Sequence, residues 1–196
     1  LMQHAALLEG EPSDLDPWWS LLVFFNSLRE LGAALTLFSA DTREYLRVIL
    51  TRHGVDYGRI RQLFQVEELT SRIRGDYVPR LLERLEVQLN VREGQGKPDH
   101  EQSPVDACLA SNIIEVGVDI QRLSLMAIVG QPKTTSQYIQ VSSRVGRDLE
   151  KPGLVVVIYG QTKPRDCSHY ERFRSYHQRL YAQVEPTSVT PFSPPA

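Results

Sequence analysis

Short apolar runs and stretches with helical apolar spacing alternate along most of the chain. Leu21–Phe25 is an unbroken apolar run, the pattern of a strand buried on both faces. It stops at Asn26-Ser27, and Ser27 with Glu30 has capping-box spacing, which satisfies the first free amides of a helix. Leu28, Leu31, Leu35 and Phe38 then recur with helical spacing and predict a helix lying on that strand. Asp41 with Glu44 repeats the capping pattern and predicts a second helix through Leu50, whereas 51–64 shows no clear period. A short strand is predicted at Glu67–Thr70. Val78, Leu81, Leu82, Leu85 and Leu89 predict the next helix, with Pro79 near its start, where proline is tolerated. Residues 92–104 are polar and rich in turn formers, a loop.

Beyond that loop the alternation resumes. Val105–Ala110, Leu123–Val129 and Leu154–Tyr159 read as strands, and Thr134 with Gln137 caps a helix starting at Thr134 or Thr135. A final helix is predicted from Asp166 to Val184, with Tyr170, Phe173, His177, Leu180, Tyr181 and Val184 on one face, read as core. Residues 1–19 read as a lead-in, 20–185 as one domain, and the proline-rich 186–196 as a truncated linker. Buried strands alternating with amphipathic helices predict an α/β fold, a doubly wound parallel sheet flanked by helices. Ligands of such sheets bind outside the carboxyl ends of the strands.

Composition narrows the picture. A chain of 196 residues fits one domain with flanking arms. No apolar run approaches the roughly 20 residues that span a bilayer, so no membrane partner is expected. No secretory pattern opens the sequence, and two cysteines, Cys108 and Cys167, make no disulfide framework. These features point to the reducing cytoplasm. A net charge of −2 excludes a generally basic nucleic-acid coat protein but allows local phosphate contacts. All but Lys97, Lys133, Lys151 and Lys163 of the basic residues are arginine, which holds phosphate bidentately.

The strand ends collect small polar side chains: Asn26-Ser27, Thr70-Ser71-Arg72, Ser111-Asn112 and Gly130-Gln131-Pro132. Each can simply cap its own helix. Repeated at one topological position, they also read as phosphate ligands beside outward-pointing amides. The sharpest segment is Gln140-Val141-Ser142-Ser143-Arg144-Val145-Gly146-Arg147. If the preceding helix continues to its end, Arg144 and Arg147 share a face. Two guanidinium groups projecting from the ligand-facing carboxyl rim suit a polyphosphate, and Gly146 allows close approach there. Two solvated arginines on a helix end explain the octapeptide equally well. Cys167, His169 and His177 lack zinc-site spacing, and His177 reads as a hydrogen-bonded core histidine.

Considered together, DACLASNIIEVGVDI (106–120) and YIQVSSRVGR (138–147) closely resemble motifs V and VI of superfamily-two helicases. LLVFFNSLRELG (21–32) resembles the motif IV strand and helix, and ELTSRI (68–73) the segment called IVa. The resemblance spans roughly residues 20–160, with four motifs in order, and implies the second, C-terminal RecA-like domain of such an enzyme. GQPKTTSQYIQVSSRVGR, RDCSHYERFRSYH and SVTPFSP further resemble the helicases of bacterial DISARM-type phage-defence systems.

The resemblance implies an ATP-dependent helicase or translocase. ATP, with Mg2+ held by the other domain, would sit on an N-terminal RecA-like domain of the same protein. It casts Arg147 as arginine finger with Arg144 as its partner, and places Gly117, Asp119, Gln140 and Gly146 around the nucleotide. Asn26, Ser27, Thr70, Ser71, Arg72, Ser111 and Asn112 would contact the nucleic-acid backbone, with DNA favoured over RNA. Asn112 stands where the family usually has Asp. No G-x-x-x-x-G-K-[ST] and no Walker B Asp-Glu pair occur, so the phosphate cradle and metal-holding carboxylate must come from elsewhere. The chain alone is expected to be inactive. The alternative reading is a helicase-like nucleic-acid-binding or assembly module without motor activity. An unrelated doubly wound enzyme acting on a phosphorylated metabolite is disfavoured, because no Gly-rich loop follows the first strand.

Overall fold

A computed structural model describes residues 10–56, 61, 63–89, 103–111, 117 and 119–186. Five parallel strands form one sheet in the order β2-β3-β1-β4-β5. They are β1 (Leu21–Phe25), β2 (Val66–Leu69), β3 (Ala107–Ala110), β4 (Leu125–Val129) and β5 (Leu154–Ile158). β1 lies at the centre, with Leu21 in register with Ala107 of β3 and Leu125 of β4. Parallel neighbours need crossovers, and these are helical: α2 (Leu28–Ser39), α3 (Asp41–Arg52), α4 (Val78–Glu86) and α5 (Thr135–Ser142).

Alternation of side chains along the strands divides the core in two. On one face Leu22, Phe24, Met126 and Ile128 pack against Leu81 and Leu85 of α4 and Tyr138 and Val141 of α5. On the other, Val23, Phe25, Leu109 and Ala127 meet Leu31 of α2. Cys108 is buried within the first layer, and loss of water pushes its thiol up to about 12. Two of the three predicted caps form: the Ser27 hydroxyl accepts from Glu30 N and the Thr134 hydroxyl from Gln137 N, whereas Asp41 is the first residue of its helix and Ala40, at the cap, supplies no side-chain hydrogen bond. The helix over 78–86 ends three residues short of the predicted Leu89, whose amide instead donates to Asp16 Oδ1 at 2.7 Å.

Three other expectations are corrected. Within the segment read as a lead-in, Pro12–Trp19 forms a helix, α1. It is held by contacts distant in sequence: the buried Arg122 side chain donates to Asp16 Oδ1 at 3.2 Å, to Leu85 O at 2.8 Å and to Ser20 Oγ at 2.6 Å. The predicted final helix is divided into α6 (Pro164–Glu171), α7 (Phe173–Gln178) and a 3-10 turn, Leu180–Gln183. Breaks at Arg172 and Arg179 rotate the aromatic stripe out of line, so Tyr170 and Tyr181 are 71 % and 80 % exposed while Tyr176 takes the core position. His177 is hydrogen-bonded as expected, its Nδ1–H donating to Phe173 O at 2.8 Å and its Nε2 accepting from the Tyr138 hydroxyl at 2.9 Å, but it is half-buried at the edge of the core and not within it. Finally, β5 is not buried on both faces, because it is the last strand of the sheet.

Candidate nucleotide and nucleic-acid surfaces

The predicted site residues fall on two opposite rims, not one. α5 starts beyond the carboxyl end of β4 and runs back along the sheet, so the residues after it surface at the amino ends of the strands. Gly146 N donates to Leu123 O at 2.8 Å, just before β4, and Gly146 packs directly on Gly153, just before β5. The expectation that Arg144 and Arg147 emerge from the carboxyl rim is therefore corrected. So is their shared helical face: α5 ends at Ser142, and both arginines lie in the turn that follows. The capped helix has room for only about two turns before it leaves the sheet.

That turn is tightly specified. Gly146 has φ +66°, and a Cβ there would lie 2.5 Å from Gly153 N and 2.6 Å from Gly153 Cα. Only two glycines allow this crossing. The turn sets Arg147 at the surface, where its Nε donates to Ser143 O at 3.0 Å and its Nη1 forms an ion pair with Asp119 Oδ1. Arg144 is half-buried and Gln140 exposed on α5. Gly117, also in the left-handed region with φ +67°, lies two residues before Asp119. Asp119 thus meets Gly146 and Arg147 on the amino rim, the arginine lying 28 positions further along the chain.

The carboxyl rim carries the remaining polar residues, and most of them are occupied by the fold. Asn26 Nδ2 donates to Val129 O, Gly130 O and Gln131 O at 3.0, 3.1 and 3.3 Å, tying the end of β1 to the end of β4. Ser27 caps α2, and the buried Thr70 hydroxyl donates to Glu68 Oε1 at 2.5 Å and accepts from Arg72 N. Ser111 N donates to Leu69 O at 3.2 Å. Arg72 donates to Leu28 O at 3.0 Å, yet its side chain remains about half exposed (53 %), beside the exposed Ser71. Asn112 lies outside the described residues.

One strand end escaped the sequence reading. Beyond β5, Lys163 ion-pairs with Glu30 of α2, and the buried Asp166 accepts from Gln131 N at 2.9 Å and Gly160 N at 2.7 Å. These residues join Asn26 and Ser27 around a cleft of about 430 Å³. The signal was present: Gln161-Thr162-Lys163-Pro164 follows β5 as the other polar clusters follow their strands. The pair keeps the Lys163 ammonium above its ordinary pKa, chiefly through its hydrogen bond to Glu30. Among the described residues no group of His, Cys, Asp and Glu is placed to hold a metal ion, and no helix is long and apolar enough to cross a membrane.

Comparison with known proteins supplies an independent frame. Residues 80–148 match the family described as helicase conserved C-terminal domain. The DISARM protein DrmA of Bacillus paralicheniformis is 43 % identical over 189 residues, 95 % of this chain but 16 % of that protein. The chain thus spans about a sixth of the length of that curated relative. The Mycobacterium smegmatis helicase Lhr, in a structure bound to ssDNA and AMP-PNP, aligns with a TM-score of 0.52 at 17 % identity, over 87 % of this chain and 18 % of that one.

Proposed function

We propose that the chain, which matches the helicase conserved C-terminal domain over residues 80–148, is a C-terminal, RecA-like domain of the superfamily-two helicase type and works as the second motor domain of a longer ATP-dependent helicase or translocase. Its amino rim faces a nucleotide carried by an N-terminal partner domain, and its carboxyl rim faces a nucleic-acid backbone. One observation carries this reading: the fold brings Asp119 of the motif V segment and Arg147 of the motif VI segment into an ion pair on a surface turn fixed by Gly146 and Gly153. Arg147 presents a planar guanidinium held by an exposed carboxylate. A triphosphate entering this rim offers the guanidinium a denser negative charge than Asp119 does. Arg147 then stabilises the charge that develops on the transferring phosphoryl group, with Arg144 as its neighbour in the same turn. Asp119, released from the arginine, becomes free to accept a hydrogen bond from a ribose hydroxyl.

At the other rim, Ser71 and the exposed Arg72 are placed to meet phosphates, while Asn26 and Thr70 hold the loops that present them. We propose DNA, in preference to RNA, as the nucleic acid at this rim. The decisive test is Arg147→Ala in the full-length protein. Nucleic-acid-stimulated hydrolysis should fall by on the order of 10³-fold or more, with nucleotide affinity changed little. Turnover within a few-fold of wild type would show that Arg147 is not the finger, whereas a wild-type protein that binds nucleic acid without any stimulated hydrolysis would be a helicase-like binding module without motor action.

A further inference from the structure

β5 ends the sheet without any of the features that usually protect an edge strand. Leu154 N donates to Ser124 O at 2.7 Å and Ile158 O accepts from Gly130 N at 2.8 Å. The main-chain groups of Leu154, Val156 and Ile158 therefore point toward β4. In a parallel ladder alternate residues point opposite ways, so the N–H and C=O groups of Val155 and Val157 point outward. No strand lies beyond them among the described residues. The run Leu-Val-Val-Val-Ile has no charge and no proline, and its register with β4 is continuous, without a bulge. Natural edges normally carry at least one of these devices.

Both sides of this edge are shaped to receive a chain. On one side Val157 and Tyr159 floor a groove of about 780 Å³, walled by Tyr170 and Phe173 and rimmed by Arg172 and Arg174. On the other, Leu154, Val156 and Ile158 are 39 %, 37 % and 52 % exposed, an apolar stripe on the sheet face where α2 covers only the central strands. An added strand would pair with Val155 and Val157, its side chains on one face entering the groove and those on the other lying beside the stripe.

We propose that β5 is a docking edge, extended by a β-strand from the part of the same longer protein that lies outside this chain. The inference rests on the reading of the chain as one domain of such a protein, and the length of the DrmA relative outside the matched region supplies the polypeptide. A second copy fits poorly. Paired edge to edge about a two-fold axis, two copies would place both α6–α7 segments on one side of the joined sheet, competing for one groove and bringing Arg172 and Arg174 of each together. The matching segment carries apolar residues on the face beside Leu154, Val156 and Ile158. Its other face carries flat or acidic residues, to fit between the aromatic walls beneath the two arginines.

Hydrogen exchange resolved to single residues in the full-length protein tests this. Val155 and Val157 amides should exchange within about tenfold of Val156 and Ile158, and at a rate independent of protein concentration. The double substitution Val156→Lys, Ile158→Lys should release Val155 and Val157 while Met126 of β4 stays protected. Three results overturn the inference: fast and slow amides alternating along β5 in the wild type, protection that fades on dilution, or a double variant that changes nothing at Val155 and Val157. ATP hydrolysis measured on the same samples separates the two readings. Uniform protection without hydrolysis retains the docking edge and rejects the motor, and alternation with hydrolysis does the reverse.

Discussion

Gly146 decides the shape of the amino rim because two separate demands meet there. Its φ of +66° is one that side chains rarely adopt, and the space a Cβ would need is filled by the main chain of Gly153. The obstruction is backbone, so no rotamer change relieves it. Gly146→Ala should destabilise the domain by about 1–3 kcal/mol, read as a lower denaturant midpoint with an unchanged slope. Gly54 also has a positive φ, +75°, but has open space around it. At the residue scale the sequence marked Gly146 and both arginines as unusual. It could not show that Gly146 meets Gly153, since that contact depends on where β5 begins.

Among the elements, legibility followed locality. β1 and α2 are legible because an apolar run and a capping box lie within ten residues of each other. α1 is not, because two prolines and a polar composition mask it, and what holds it is a guanidinium 106 positions away from Asp16. The stripe from Tyr170 to Val184 misled for a related reason: its period is helical, but the helix breaks at Arg172, and Tyr176 is buried in place of its neighbours.

The amino ends of the central strands are pinned in a comparable way by Arg61. Its guanidinium donates to Asp106 Oδ1 at 2.6 Å and to Trp19 O at 2.6 Å, and lies 3.9 Å from the centre of the Trp19 ring. Burial lowers the Arg61 pKa, and the Asp106 carboxylate counteracts that shift. Asp106→Ala leaves a buried charge without its partner and should cost about 3–5 kcal/mol in chemical denaturation. Removing the exposed Glu44–Arg47 pair through Glu44→Ala should cost under about 0.5 kcal/mol.

For the whole molecule, the return of α5 along the sheet separates the two proposed contacts by the length of a strand, about 17 Å for five residues. The rule that places ligands at carboxyl ends applies to one of them only. Variants at the two rims should therefore behave independently. Arg72→Ala in the full-length protein should weaken nucleic-acid binding and reduce its salt dependence by about one unit of slope, without changing the affinity for nucleotide in the absence of nucleic acid. Fluorescence anisotropy across a salt series measures the first effect and nucleotide titration the second.

The anchoring of α1 bears on how such domains are cut from longer genes. A boundary drawn at the first motif, just before Leu21, would discard Asp16 and Trp19 together. Arg122 and Arg61 would each lose a contact supplied by those residues, and the excised product would meet solvent along a seam normally sealed. Insolubility of such a truncation would reflect the position of the cut and say nothing about the foldability of the domain.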